Sequence, residues 1–247
     1  MVLTKADFAI LERFEFDVQP VGIRFLPHPP DSLERLGARM AFCEMLRSAQ
    51  DGNAFYADKE NHTCGAGPYL LGMTDPWKDS PRMINGELAT ALKVFEDTRT
   101  ASRLYDYLPR ISRGAVSCVS FAPLARLAFD PDVLIMLARA DQTEILLRAS
   151  SYRTGKVWSS KSTGVIGCAW LFVYPYLSGE LNYTVTGLSH GMKRRRLFPE
   201  GRQLVAIPFD LLPSILQTLK EMPWVLPSME PDGAEFFKRV IEGLGLT

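Results

Sequence analysis

The sequence predicts an α/β (α+β) protein made of two strand-helix-strand-helix-strand units, internally duplicated and related by a pseudo-twofold axis. Three observations predict it. Short apolar runs the length of buried strands alternate with amphipathic stretches at helical spacing. Glycines and prolines punctuate both halves at similar offsets. The order of elements up to Pro123 returns after Pro131, as an internal repeat requires.

In the first half, Lys5 to Phe14 reads as a short amphipathic helix. Pro20 then introduces Val21 to Leu26, an apolar run closed by Pro27, Pro29 and Pro30, which reads as a strand. Asp31 or Ser32 caps a helix expected to reach Gln50, with Leu33, Leu36, Met40, Cys43 and Arg47 in register and Asp51-Gly52 closing it. Asn53 to Tyr56 is β-like. After His62-Thr63-Cys64-Gly65-Ala66-Gly67, Pro68 suits the first turn of a helix through Leu71. Thr74 to Ser112 contains Pro76-Trp77, Pro81 and a helix expected from Asn85 to Glu96, and Ala115 to Phe121 is a strand running into Pro123.

The second half opens with a strand, Val133 to Leu137, and Asp141 caps a helix to Tyr152 that stops at Thr154-Gly155. Lys156 to Ser160 takes the place of Asn53 to Tyr56, and Gly164-Val165-Ile166-Gly167-Cys168 opens an apolar helix ending at Gly179. Leu181 to Thr186 and Gln203 to Ile207 are strands, while Leu211 to Lys220 and Gly233 to Glu242 are helical. Gly52 precedes Cys64 by 12 positions and Gly155 precedes Cys168 by 13, so the alignment pairs these cysteines across the axis. The expected organisation is a first repeat with its N-terminal helix over 1–125, a second repeat over 126–222 and a helical tail over 223–247.

Composition narrows the function classes. With 47% hydrophobic and 23% charged residues the chain is an ordinary globular protein. Lys plus Arg equal Asp plus Glu at 28 each, which leaves no global positive field for a phosphate backbone, so nucleic acid is not an expected partner. Met1 to Glu15 lacks the pattern of a signal peptide, and no run approaches the roughly 20 apolar residues of a membrane span. Four widely spaced cysteines are not a disulfide framework, and a reducing cytoplasm is the expected location.

Chemistry centres on sulfur. Cys64 and Cys168 each sit among small residues just before an expected helix, where free N–H groups favour a thiolate. Cys43 lies on the apolar face of its helix, and Cys118 alternates with Val116 and Ser120 in a strand; both read first as packing. No Cys-x-x-Cys occurs, so a metal site must be assembled from distant segments, and soft thiolates favour an iron-sulfur cluster or zinc. His62 and His190 are candidate ligands or bases, with a loop histidine bonded to backbone as the plainer reading. Gly65-x-Gly67 does not follow the dinucleotide fingerprint but suits an anion at a helix start, for which Arg24 and Lys193, the latter in a basic run, are candidate partners.

Taken together, Pro20-Val21-Gly22-Ile23-Arg24-Phe25, Cys43, Cys64-Gly65-Ala66-Gly67, Leu71-Gly72, Ala122-Pro123-Leu124, Asp130-Pro131-Asp132-Val133, Gln142, Gly155, Gly167-Cys168, Gly191 and Ile207-Pro208 make the chain resemble the family of bacterial and archaeal proteins grouped as domain of unknown function 169. The resemblance implies a fold and a residue pattern and no reaction. It implies that cysteines matching Cys43, Cys64 and Cys168 recur, with a fourth cysteine in some members where this chain has Ser189. That departure leaves a three-cysteine site with an open position, or with His190, His62 or Cys118 as fourth ligand.

The reading that follows is a thiolate site between the halves, formed by Cys64 and Cys168 with Cys43, that holds an iron-sulfur cluster or another soft metal for redox chemistry or substrate binding. Two alternatives stand beside it: a metal-free module binding a small anion, and an enzyme with a cysteine nucleophile. Substrate and oligomeric state are not legible.

Overall fold

The computed structural model describes residues 5–76, 78, 80–186 and 189–246. Trp77 and the start of the Met1 to Glu15 segment lie outside the described residues. Six strands, β1 (Val21–Leu26), β2 (Phe55–Asp58), β3 (Cys118–Pro123), β4 (Val133–Ala138), β5 (Asn182–Val185) and β6 (Gln203–Pro208), form one antiparallel sheet in the order β2-β3-β1-β4-β6-β5. Around it lie α1 (Lys5–Phe8), α2 (Phe42–Gln50), α3 (Ala66–Leu70), α4 (Ser80–Ile84), α5 (Glu87–Ala91), α6 (Thr98–Ser102), α7 (Ala140–Ser151), α8 (Tyr174–Ser178), α9 (His190–Arg194), α10 (Leu212–Glu221) and α11 (Gly233–Gly243). Mixed helices on an antiparallel sheet make the chain α+β.

Strand alternation sorts the core into two layers. Val21, Ile23 and Phe25 of β1, Val119 and Phe121 of β3 and Val133, Ile135 and Leu137 of β4 face one side, where they pack with Phe42, Met45 and Leu46 of α2 and with Trp170 to Phe172. Leu134, Met136, Val205 and Ile207 face the other side, beneath Leu146 of α7, Leu216 of α10 and Phe8 to Phe14. On that second face the β1–β3 part of the sheet carries Arg24 opposite Ser120. Gly22 gives close packing there, because a Cβ would meet Leu127 Cδ1 at 2.6 Å and Pro131 Cβ at 3.1 Å and force the Leu127 side chain to shift where the β3–β4 connection crosses the strand.

Tertiary pairing overrides several local signals. The helix expected from Asp31 begins only at Phe42, because residues before it run beside β2: Arg35 bridges Tyr56, Met40 bridges His62, and the Asn61 side chain donates to the Leu36 and Ala38 carbonyls at 2.7 and 2.9 Å. Glu44 then caps α2 by accepting from the Ala41 N–H at 2.5 Å. The helix expected over Asn85 to Glu96 shortens to α5, because Gly86 at φ +85° delays its start and Lys93 at φ +57° lies outside the α region just past its end.

Lys156 to Ser160 is irregular rather than a strand. Beyond it, the fully buried Asn182 accepts from the Lys161 N–H and donates to the carbonyls of Lys161 and Trp170, so a side chain anchors the segment to β5. The strand on the outer edge of the second half is therefore β5, which follows Cys168, whereas β2 precedes Cys64. The apolar helix after Cys168 opens as a π turn, Ala169–Val173, before α8. Pro175 cannot donate a helical hydrogen bond, which favours that widened turn.

Among the described residues no helix is long and apolar enough to cross a membrane.

Candidate functional site

Of the four cysteines, all free, three line one pocket of about 320 Å³ on the α2 side of the sheet. Cys43 is the second residue of α2, Cys64 stands two residues ahead of α3, and Cys168 directly precedes the π turn. Ser189, directly ahead of α9, completes the ring of helix starts around the pocket.

Two glycines let these segments meet. A Cβ on Gly67 would lie 2.9 Å from His62 Nδ1 and 3.2 Å from Phe42 Cβ, so α3 reaches the α2 wall only because that position is bare. A Cβ on Gly167 would lie 2.8 Å from both Cβ and Oγ of Ser189, and the Gly167 N–H donates to that Oγ at 3.3 Å. The Cys168 segment is thus held directly against Ser189.

The sulfurs share one electrostatic neighbourhood. Burial lifts the Cys43 thiol to about 11, with the Arg195 guanidinium pulling the other way and Cys64 adding to the rise. Burial also raises Cys168 well above the ordinary thiol range, helped by Cys64 and then Cys43. Both are therefore protonated near neutral pH when nothing is bound. Arg195 closes the mouth of the pocket, 3.5 Å from Glu44 and donating to the Gly191 carbonyl at 3.2 Å. Among the described residues no group of three or more His, Cys, Asp or Glu is placed to hold a metal ion.

The remaining candidates separate. His190 lines the pocket. His62 stands behind Gly67, 5% exposed, with neither ring nitrogen partnered among the described residues, and burial draws it down to about 4. Gly67 is part of the wall and Gly65 leads into it. Lys193 is exposed, and its neighbours Arg194 and Arg195 line the pocket instead. Arg24 is on the opposite face of the sheet, in a different groove, because it alternates with the core residues Ile23 and Phe25. Cys118 is fully buried in β3, with its Sγ 3.8 Å from the Leu26 carbonyl, away from the other three. Sequence reasoning named the basic run but missed Arg195 itself; the signal available was its helical offset of four from Gly191.

Fold and pocket together define an α+β protein with one antiparallel sheet and three cysteines gathered on one of its faces. The chain belongs to the DUF169 family, described as uncharacterised ArCR, whose model matches residues 9–218. That span includes the three cysteines and Ser189 and leaves α11 outside. No curated protein and no solved structure matches the chain.

Proposed function

We propose that this pocket is an iron-sulfur site held by Cys43, Cys64 and Cys168, with the side facing Ser189 and His190 open for redox exchange or for a substrate. The observation that carries the reading is the convergence of three of four cysteines, from segments far apart in sequence, on one small pocket. The donor set contains sulfur without carboxylate, which favours soft iron-sulfur centres over hard cations. A single tetrahedral ion, with metal–sulfur bonds of about 2.3 Å, draws its ligands close together, and the thiols are not so arranged; a cluster accepts ligands spread around a larger core. A bound cluster supplies electron transfer or an exposed iron able to take a substrate oxygen. The chain supplies the rest: Arg195 offsets negative charge, the apolar wall of Phe42 and Met192 excludes water, and loading must release the protons that burial keeps on Cys43 and Cys168.

The same reading treats the chain as a duplicated unit over 1–125 and 126–222, with equivalences shifted from those expected. Its support is the strand order, in which β2-β3-β1 from one edge mirrors β5-β6-β4 from the other around the antiparallel β1–β4 pair. On that alignment Cys43 corresponds to Cys168 and Cys64 corresponds to Ser189, so the site is a fourfold set with one thiol replaced by hydroxyl.

Anaerobic reconstitution with ferrous iron and sulfide tests the proposal. The expected product is a brown protein with iron and labile sulfide in near-equal amounts. Cys64→Ser and Cys168→Ser each lose most of the colour, and Ser189→Cys slows cluster loss to a chelator several-fold. Colourless, metal-free wild-type protein after reconstitution sinks it. The metal-free reading draws on the protonated thiols and the largely apolar lining; it expects ligand stabilisation in a thermal-shift screen that a chelator leaves unchanged. Of the two cysteines that could serve as nucleophile, Cys64 and Cys168, Cys168 is disfavoured, because burial opposes thiolate formation there.

A further inference from the structure

The other face of the sheet holds a larger opening. In the second half α7 follows β4 directly and covers this face through Leu146 and Ala149. In the first half the chain after β1 turns aside to run along β2, so the corresponding surface over β1 and β3 opens into a groove of about 1480 Å³. Leu26, Leu124, Leu127 and Phe129 make much of its lining apolar.

Its polar groups are unspent. Ser120 is 1% exposed and Gln50 is 4% exposed; both line the groove, and among the described residues neither the Ser120 hydroxyl nor either end of the Gln50 amide has a hydrogen-bond partner. Buried polar groups left unpaired are costly and uncommon in native proteins, so such groups in the wall of a cavity point to something that pairs with them. Beside Ser120, across the β1–β3 ladder, stands Arg24. Among the described residues no group forms a hydrogen bond or ion pair with its guanidinium. Asp132 feels its charge, yet gives an oxygen to the Phe25 N–H at 2.7 Å.

The surrounding charges select among anions. Five acids, Glu12, Glu15, Asp17, Asp51 and Asp130, line the groove against Arg24 and Arg47. Asp17 is paired with Arg202 at 2.7 Å and Asp51 with Arg47 at 2.8 Å. Glu12, Glu15 and Asp130 remain as an exposed acidic rim, which repels a phosphate dianion but admits a single negative charge that reaches the floor.

We infer that this groove is a second binding site, independent of the cysteines, for a singly charged organic carboxylate with an elongated apolar body. The carboxylate meets Arg24 and the Ser120 hydroxyl, and the body lies along Leu26, Leu124, Leu127 and Phe129. Titration calorimetry of the full chain with octanoate tests it. Saturable binding is expected, weakened at least tenfold by Arg24→Gln and several-fold by Ser120→Ala, and unchanged by Cys64→Ser. Octanol and the dicarboxylate suberate should each bind at least tenfold more weakly than octanoate, the first lacking the charge and the second carrying one too many. The inference fails if octanoate does not bind saturably, if octanol binds as well, or if a folded Arg24→Gln variant binds as tightly as wild type.

Discussion

Replacing Gly72 with alanine is expected to destabilise the chain by about 3 kcal/mol or more, among the largest effects of any single methyl group in the molecule. Two causes add. Gly72 has φ +69°, a left-handed conformation that costs an L-residue on the order of 1 kcal/mol. Its Cβ would also stand 2.3 Å from the Ser112 carbonyl oxygen and 2.7 Å from that of Ile111, and backbone atoms cannot swing aside as a side chain can. The displaced strap is what ties α3 down, since the Ile111 N–H donates to Leu70 at 2.9 Å and the Gly114 N–H donates to Gly72 at 2.8 Å. Cys64 stands two residues ahead of α3, so on the proposed iron-sulfur reading the variant should bind iron poorly as well as unfold early. Gly155 supplies the control: its φ is +63° but nothing lies within 4 Å of a Cβ there, so Gly155→Ala should cost only the conformational part. Urea unfolding measures both, and equal midpoint shifts for the two variants would refute the steric account.

Gly72 and Gly67 show what a sequence can and cannot disclose. Both stand in the small-residue segment after Cys64, where the close approach they permit was not legible, while the runs at β1, β4 and β6 were legible because short, nearly continuous apolar stretches bounded by turn residues need little context. What decided the rest was pairing between distant segments. The 31–41 stretch has helical spacing in Leu33, Leu36 and Met40, yet Asn61 offers its carbonyls a better place beside β2. Lys156 to Ser160 has β-like composition, but the buried Asn182 side chain holds the backbone of Lys161 just beyond it and β5 occupies the edge. On the proposed duplication, that one misassignment moves the cysteine equivalences by a whole element. The three pocket cysteines were found because sulfur is rare and chemically conspicuous. Arg24 was expected to help hold an anion at the helix starts near Gly65 and Gly67, and it lies on the other face because strand parity, rather than charge, decides which face a residue serves.

The metal-free protein is expected to lose about 3 kcal/mol of stability between pH 6.5 and pH 4 through His62 alone. Burial lowers its folded-state value from 6.5 to about 4, with the Asp58 carboxylate opposing only in part. A base whose folded value is depressed binds its proton more readily when unfolded. The stabilisation is therefore complete above pH 6.5 and drains away as pH falls toward the folded value. Among the described residues neither ring nitrogen has a partner, so none of them relieves the imidazolium by a hydrogen bond once it forms. Carboxylates titrate over part of the same window, so the measurement is a comparison: chelator-treated wild type against His62→Phe, whose ring fills the space beside Phe42 without a proton to gain. The stability of the variant relative to wild type should rise by about 3 kcal/mol from pH 6.5 to pH 4, and parallel curves would show that the histidine titrates as it does in water. A neutral His62 behind Gly67 also keeps one wall of the sulfur pocket free of positive charge, which leaves Arg195 as the cation that draws the Cys43 thiol down against its burial.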